Sequence, residues 1–233
     1  MDRSEQMVFE YLSHHGFREV IYEPDGNIPP DFLIDGRIAV EVRRLNQNED
    51  TPNGHRGLEN VAIPLHAKVR TLLRTLGPSD GVSWYVMYRF RRPLPPWDQL
   101  AFTLRAELIE FRKNNNCGKT KRTVSPKFII SLIKAGRLYP DFFVPGGFVD
   151  GDSGGFVLSE LNRNIRICVT EKTRKVAFVR EKYPEWWLVL VDNIGHGIDE
   201  RDHDDVRQLF HFEHSWNKIV LVNPLDTKQG YVL

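Results

Sequence analysis

The stretch from residue 29 to residue 43 reads Pro-Pro-Asp-Phe-Leu-Ile-Asp-Gly-Arg-Ile-Ala-Val-Glu-Val-Arg. Asp35-Gly36 is a tight-turn dipeptide between two β-prone runs, so the stretch predicts a hairpin. Side chains alternate faces along a strand. Ile38, Val40 and Val42 then share one face and can enter a core, while Ala39, Glu41 and Arg43 share the other. Turning at Asp35-Gly36 sets Asp31 opposite Glu41, and cross-strand neighbours lie about 5 Å apart at Cβ. Carboxylates that close repel unless a cation sits between them. Oxygen ligands of this kind suit Mg²⁺, which keeps several waters and shares itself with a phosphate. The competing reading is a surface hairpin whose charges face water.

A Pro-Asp pair followed farther along by an acidic-X-Lys triplet marks the PD-(D/E)XK superfamily of restriction-type nucleases. Pro30-Asp31 and Glu41-Val42-Arg43 resemble that signature, with arginine in place of lysine. The Holliday-junction-resolvase-like branch adds a helical glutamate before a Gly-Phe pair that closes the helix. Here Glu5, with Glu10 as the alternative, precedes Gly16-Phe17. The resemblance covers roughly residues 3–45 and reaches more loosely to Glu171, Lys172, Lys175 and the strand at 186–192.

The resemblance implies a restriction-endonuclease-like α/β core, a central mixed sheet flanked by helices, and metal-dependent cleavage of DNA. It implies a catalytic set of Asp31, Glu41, Arg43 and Glu5. Asp31, Glu41 and the Val42 carbonyl would hold Mg²⁺ or Mn²⁺, with Glu5 completing the shell. Such a metal activates a water and polarises the scissile phosphate. Arg43 cannot serve as a base, but it can clamp phosphate oxygens. A helical lysine could substitute for the missing one, and Lys68 and Lys172 are the candidates. The arginine leaves a second function open: a catalytically inactive nuclease-like module that binds nucleic acid or a protein partner.

Elements that would position these groups follow from periodicity. Residues 3–15 predict a helix stopped by Gly16, and 18–23, 31–34 and 37–45 predict strands. A polar loop at 47–57 precedes a helix at 58–76. Then come a strand at 82–90, a helix at 97–113, a strand at 128–133 and a glycine-rich segment at 145–155. A helix at 158–180, a buried strand at 187–191, an acidic helix at 199–209 and strands at 219–222 and 231–233 complete the chain. One domain with an insertion at about 91–157 accounts for this order.

Residues 112–127 read as a loop with six basic residues and no acids: Arg112, Lys113, Lys119, Lys121, Arg122 and Lys127. They suit phosphate contact, against the alternative of a solvated loop. Trp84, Tyr85 and Tyr88 could stack on bases, but in a strand they read as core. Glu171 and Lys175 stand at the helical spacing of a surface salt bridge. Gly151-Asp152-Ser153-Gly154-Gly155 copies the nucleophile motif of trypsin-like proteases without the rest of that machinery, and reads as a turn. The Asp and His residues of 195–214 fit no zinc spacing.

With 233 residues and 41% hydrophobic content the chain can build a sizeable core. A net charge of +1 excludes a global field toward nucleic acid, so any such binding is local. Cys117 and Cys168 form neither a disulfide framework nor a metal spacing, which fits a reducing compartment. The charged start and the short apolar runs fit neither a signal peptide nor a membrane span. The expectation is a cytoplasmic protein whose partners are nucleic acid and, as in related nucleases, a second copy of itself.

Overall fold

The structure is a computed structural model and describes residues 1–114, 120–198 and 203–233. Helix α1 (Arg3–His14) starts where Asp2 and Glu5 form a reciprocal capping box, and it buries Val8, Tyr11 and Leu12. Strands β1 (Val20–Tyr22), β2 (Phe32–Ile34) and β3 (Ile38–Leu45) follow. The β2–β3 turn holds Asp35 at φ 48° and Gly36 at φ 66°, the left-handed pair that Asp-Gly supplies. Next come β4 (Asn48–Thr51), β5 (Gly54–Gly57), α2 (Glu59–Arg74), β6 (Trp84–Phe90), α3 (Trp97–Lys113), β7 (Thr120–Ser125), β8 (Phe128–Lys134) and β9 (Phe143–Asp150). The chain ends with α4 (Val157–Val176), β10 (Glu185–Asp192), α5 (His203–Leu209), β11 (Lys218–Val222) and β12 (Gly230–Val232).

Two compact units result, Met1–Gly57 with Gly155–Leu233, and Leu58–Gly154. In the first, six strands are ordered β1-β2-β3-β10-β11-β12. Strand β10 runs parallel to β3 and β11, and the remaining pairs are antiparallel. One sheet face packs Phe32, Val40 and Val42 against Val8 and Leu12 of α1. The other packs Ala39, Leu188 and Leu190 against Leu161, Ile165 and Cys168 of α4 and Val206 of α5. Burial on both faces explains the unbroken apolar run of β10. A mixed sheet flanked by helices is the coarse class the sequence predicts.

The second unit has its own sheet, ordered β7-β8-β6-β9. Trp84, Val86, Tyr88 and Phe90 of β6 alternate inward and pack on Leu72 and Leu73 of α2 and Leu104 and Leu108 of α3. This unit begins at Leu58, well before the expected insertion at 91–157, because α2 contributes to the same core as β6 and α3.

Several segments expected as loops are ordered strands. Residues 48–57 form the β4–β5 hairpin, and the glycine-rich segment contributes β9, parallel to β6. The basic segment is not one loop. Arg112 and Lys113 close α3, and residues 120–125 form β7, which places Val124 in the core. Pairing with a neighbouring strand overrides weak local propensity here. Lys119 and residues 199–202 of the acidic segment lie outside the described residues.

Candidate active site

Phe32 pairs with Val40 across the β2–β3 hairpin, which brings Asp31 to the level of Glu41 as the turn predicts. The Val42 N–H donates to Asp31 Oδ2 at 2.6 Å, fixing that carboxylate against β3. Glu41 lies on the face that α4 covers and is 0% exposed. The surface-hairpin alternative is thereby overturned, because α4 closes the face that the hairpin alone would leave open.

Helix α4 supplies the countercharge. Lys172 Nζ donates to Glu41 Oε2 at 2.5 Å and stands 3.6 Å from Asp31 Oδ2. Lys175 Nζ donates to Glu41 Oε2 at 3.1 Å and lies 3.8 Å from Asp31 Oδ1. Two carboxylates and two ammonium groups therefore converge, and their formal charges cancel. Lys172 is buried, whereas the Lys175 side chain is 45% exposed and forms the open side of the cluster. Burial works to lower the Lys175 pKa, but the fields of Glu41 and Asp31 outweigh it and leave the group raised.

Arg43, one step along the same face, is drawn to Glu171 rather than to Glu41, at 2.5 Å. The expected Glu171–Lys175 surface bridge is replaced by two pairings into the sheet, Glu171 with Arg43 and Lys175 with Glu41. Cys168, one helical turn before Lys172, sits beneath this pair. Burial pushes its thiol up to about 11, partly offset by the Arg43 guanidinium.

Glu5 stands in α1, which packs on the opposite sheet face. Its carboxylate takes the Asp2 N–H of the capping box at 2.5 Å and the Tyr22 hydroxyl at 3.0 Å. Glu10 accepts from Thr227. Lys68 belongs to the second unit, where its ammonium lies over the Trp97 ring. Among the described residues no group of three or more His, Cys, Asp and Glu side chains comes together.

Three of the six basic residues at 112–127 have structural partners. Arg112 donates to the Leu76 and Pro78 carbonyls and covers Phe142. Arg122 pairs with Glu107, and Lys127 donates to the Arg92 carbonyl. Lys113 and Lys121 are exposed. Trp84 and Tyr88 are core residues, as expected, whereas Tyr85 is only half-buried and lies on the opposite strand face, because side chains alternate along β6. The protease-like motif is a turn whose Asp152 accepts from the Arg92 backbone N–H. The turn after β10 is held by buried Asp192, whose carboxylate accepts from the N–H groups of Ile194, Gly195 and Gly197.

Sequence reasoning missed the place of Lys175. One signal could have found it: Cys168, Lys172 and Lys175 share a helix face with Leu161 and Ile165, which points at the sheet. No family model, curated protein or solved structure matches this chain.

Proposed function

We propose that this chain is a metal-dependent endonuclease with a restriction-endonuclease-like core, cutting phosphodiester bonds in DNA. The observation that carries the reading is the Lys172 ammonium, 2.5 Å from Glu41 and 3.6 Å from Asp31. A lysine beside a hairpin carboxylate pair is what the Arg43 substitution removes from the sequence motif, and α4 returns it from another element. Lys172 is thus the substitute lysine of choice over Lys68.

The donor set fits a hard divalent cation. Asp31 and Glu41 offer only oxygens, and an ion shared between them would displace the ammonium groups that now neutralise them. They would hold Mg²⁺ or Mn²⁺ with the Val42 carbonyl, without the expected Glu5, which α1 keeps on the opposite sheet face with Asp2 and Tyr22. When bound, the ion would make a water more acidic and draw charge from the scissile phosphate. The protein's own groups do the positioning. The Val42 N–H aims Asp31, and Lys172 holds a donor beside Glu41 where developing negative charge can be met. Lys175, on the open side, would take a phosphate oxygen. Arg43 is steered by Glu171 and serves the electrostatics of the face rather than the attacking water.

A second reading, an inactive module that binds nucleic acid or a protein partner, draws on the charge balance of the cluster, in which both carboxylates already have ammonium partners.

Incubation with plasmid, branched and single-stranded DNA in Mg²⁺, Mn²⁺ or EDTA separates the two. The nuclease reading expects nicking that needs metal and falls at least a hundredfold in Asp31→Asn, Glu41→Gln and Lys172→Met. Glu41→Gln is preferred to alanine because it keeps the side-chain volume and an acceptor oxygen, although losing one charge of a buried ion pair still costs about 3–5 kcal/mol of fold stability. Binding without cutting in every condition would establish the second reading instead.

A further inference from the structure

The second unit covers one face of its sheet with α2 and α3 and leaves the alternate residues of every strand on the other face. These are Tyr85, Met87 and Arg89 of β6, Ile129, Ser131 and Ile133 of β8, Lys121 and Thr123 of β7, and Val144 and Val149 of β9. Beside them, Tyr139 meets Tyr85 edge to face with ring centroids 5.6 Å apart, their hydroxyls hydrogen-bonded. The exposed Arg137 guanidinium lies 4.7 Å from the Tyr139 ring centroid.

Charge on this face has one sign. The strand positions just named carry two cations and no acid, and Arg137 at the rim adds a third. Arg89 and Lys121 are exposed and have no ion-pair or hydrogen-bond partner among the described residues. Of the acids of the same unit, Asp150 and Asp152 pair with Arg92, Glu107 and Glu110 with Arg122, and Asp80 with Arg112, while Glu59 and Asp98 stand in α2 and α3 on the covered face and Asp141 precedes β9. Lys121 pairs across to Ser131, and Ser131 to Met87, two residues before Arg89. The two cations therefore stand about 10 Å apart across the strands and about 7 Å along them, with Ser131 and Ile129 of β8 between. Aromatic and apolar side chains framed by exposed cations match a chain of flat bases on a phosphate backbone. A duplex, with its bases stacked inside, offers such a face its phosphates but no base surface to stack on the rings.

Granted the nuclease reading for the polymer's chemistry, we infer that this open sheet face binds single-stranded nucleic acid and selects unpaired segments as substrate. Arg89, Lys121 and Arg137 take phosphates, and Tyr85 and Tyr139 offer ring surface to bases.

Fluorescence anisotropy of the full chain with a labelled oligothymidylate and with a duplex of equal length tests the inference. The single strand is expected to bind at least tenfold more tightly than the duplex. Arg89→Ala with Lys121→Ala should weaken it at least tenfold with an unchanged circular dichroism spectrum, and Arg89→Glu with Lys121→Glu should weaken it further. Glu41→Gln should leave this binding intact. Equal affinity for strand and duplex, or unchanged affinity in both double variants, overturns the inference. Cleavage is scored separately. Single-strand binding lost in the double variants, with no cutting by any variant or metal, sinks the nuclease reading and keeps the face. Cutting that needs Glu41 but ignores the double variants does the reverse.

Discussion

At the scale of single residues, the candidate site depends on a buried carboxylate whose partners come from a helix more than a hundred residues away in sequence. Cys168 sits against the same cluster and reports on its environment. Its thiol is raised from 9.0 to about 11 by burial, so the folded state holds the proton more tightly than the unfolded chain. That contribution is full below pH 9 and is lost as pH rises toward 11, amounting to about 3 kcal/mol at most. Denaturant melts in a Cys117→Ser background should show stability falling across this window, and adding Cys168→Ala should flatten the fall. Lys175, also raised, loses its own contribution as the pH climbs past its unfolded value, so the difference between the two proteins isolates the thiol. Equal slopes with and without Cys168 would refute the assignment.

At the scale of elements, α4 does two jobs at its two ends. Its middle and C-terminal half brings Lys172 and Lys175 to Glu41. Its N-terminal half pins the β4–β5 hairpin: buried Asn164 accepts from the Asn48 N–H at 3.0 Å and from Asn48 Nδ2 at 2.9 Å, while Arg163 donates to the Asn48 carbonyl and to Asp50. The hairpin itself is short, polar and two-stranded, so it has little stability of its own. Asn164→Ala leaves the Asn48 backbone donor without its partner and should cost about 1–3 kcal/mol. Hydrogen exchange should then accelerate in residues 48–57 and stay slow in β10. Uniform acceleration across the first unit would show instead that the hairpin is no separate local element.

At the scale of the whole molecule, 32 basic and 31 acidic residues leave a net charge of +1. A chain so balanced has no long-range pull on a polyanion, and binding must come from a local arrangement of cations. If Arg89, Lys121 and Arg137 are the phosphate contacts, the logarithm of the single-strand binding constant should fall against log salt with a slope of about −2. Anisotropy titrations between low and moderate salt give that slope, and a value several units steeper would assign the binding to another, larger basic surface. No helix among the described residues is long and apolar enough to cross a membrane.

What the sequence alone determined was local. Asp35-Gly36 dictated the hairpin because only a few residues accept two left-handed backbone positions, and period-two alternation then put Glu41 and Arg43 on the face opposite Val40 and Val42. Helical periodicity located α1, α3 and α4 for the same reason. What only the tertiary structure decided was which distant charge meets which. Arg43 went to Glu171 and Lys172 and Lys175 went to Glu41, because β10 lies parallel beside β3 and α4 packs across the face that carries Glu41. Strands β4, β7 and β9 were hidden likewise, since their composition is polar or glycine-rich and their order comes from the neighbours they pair with.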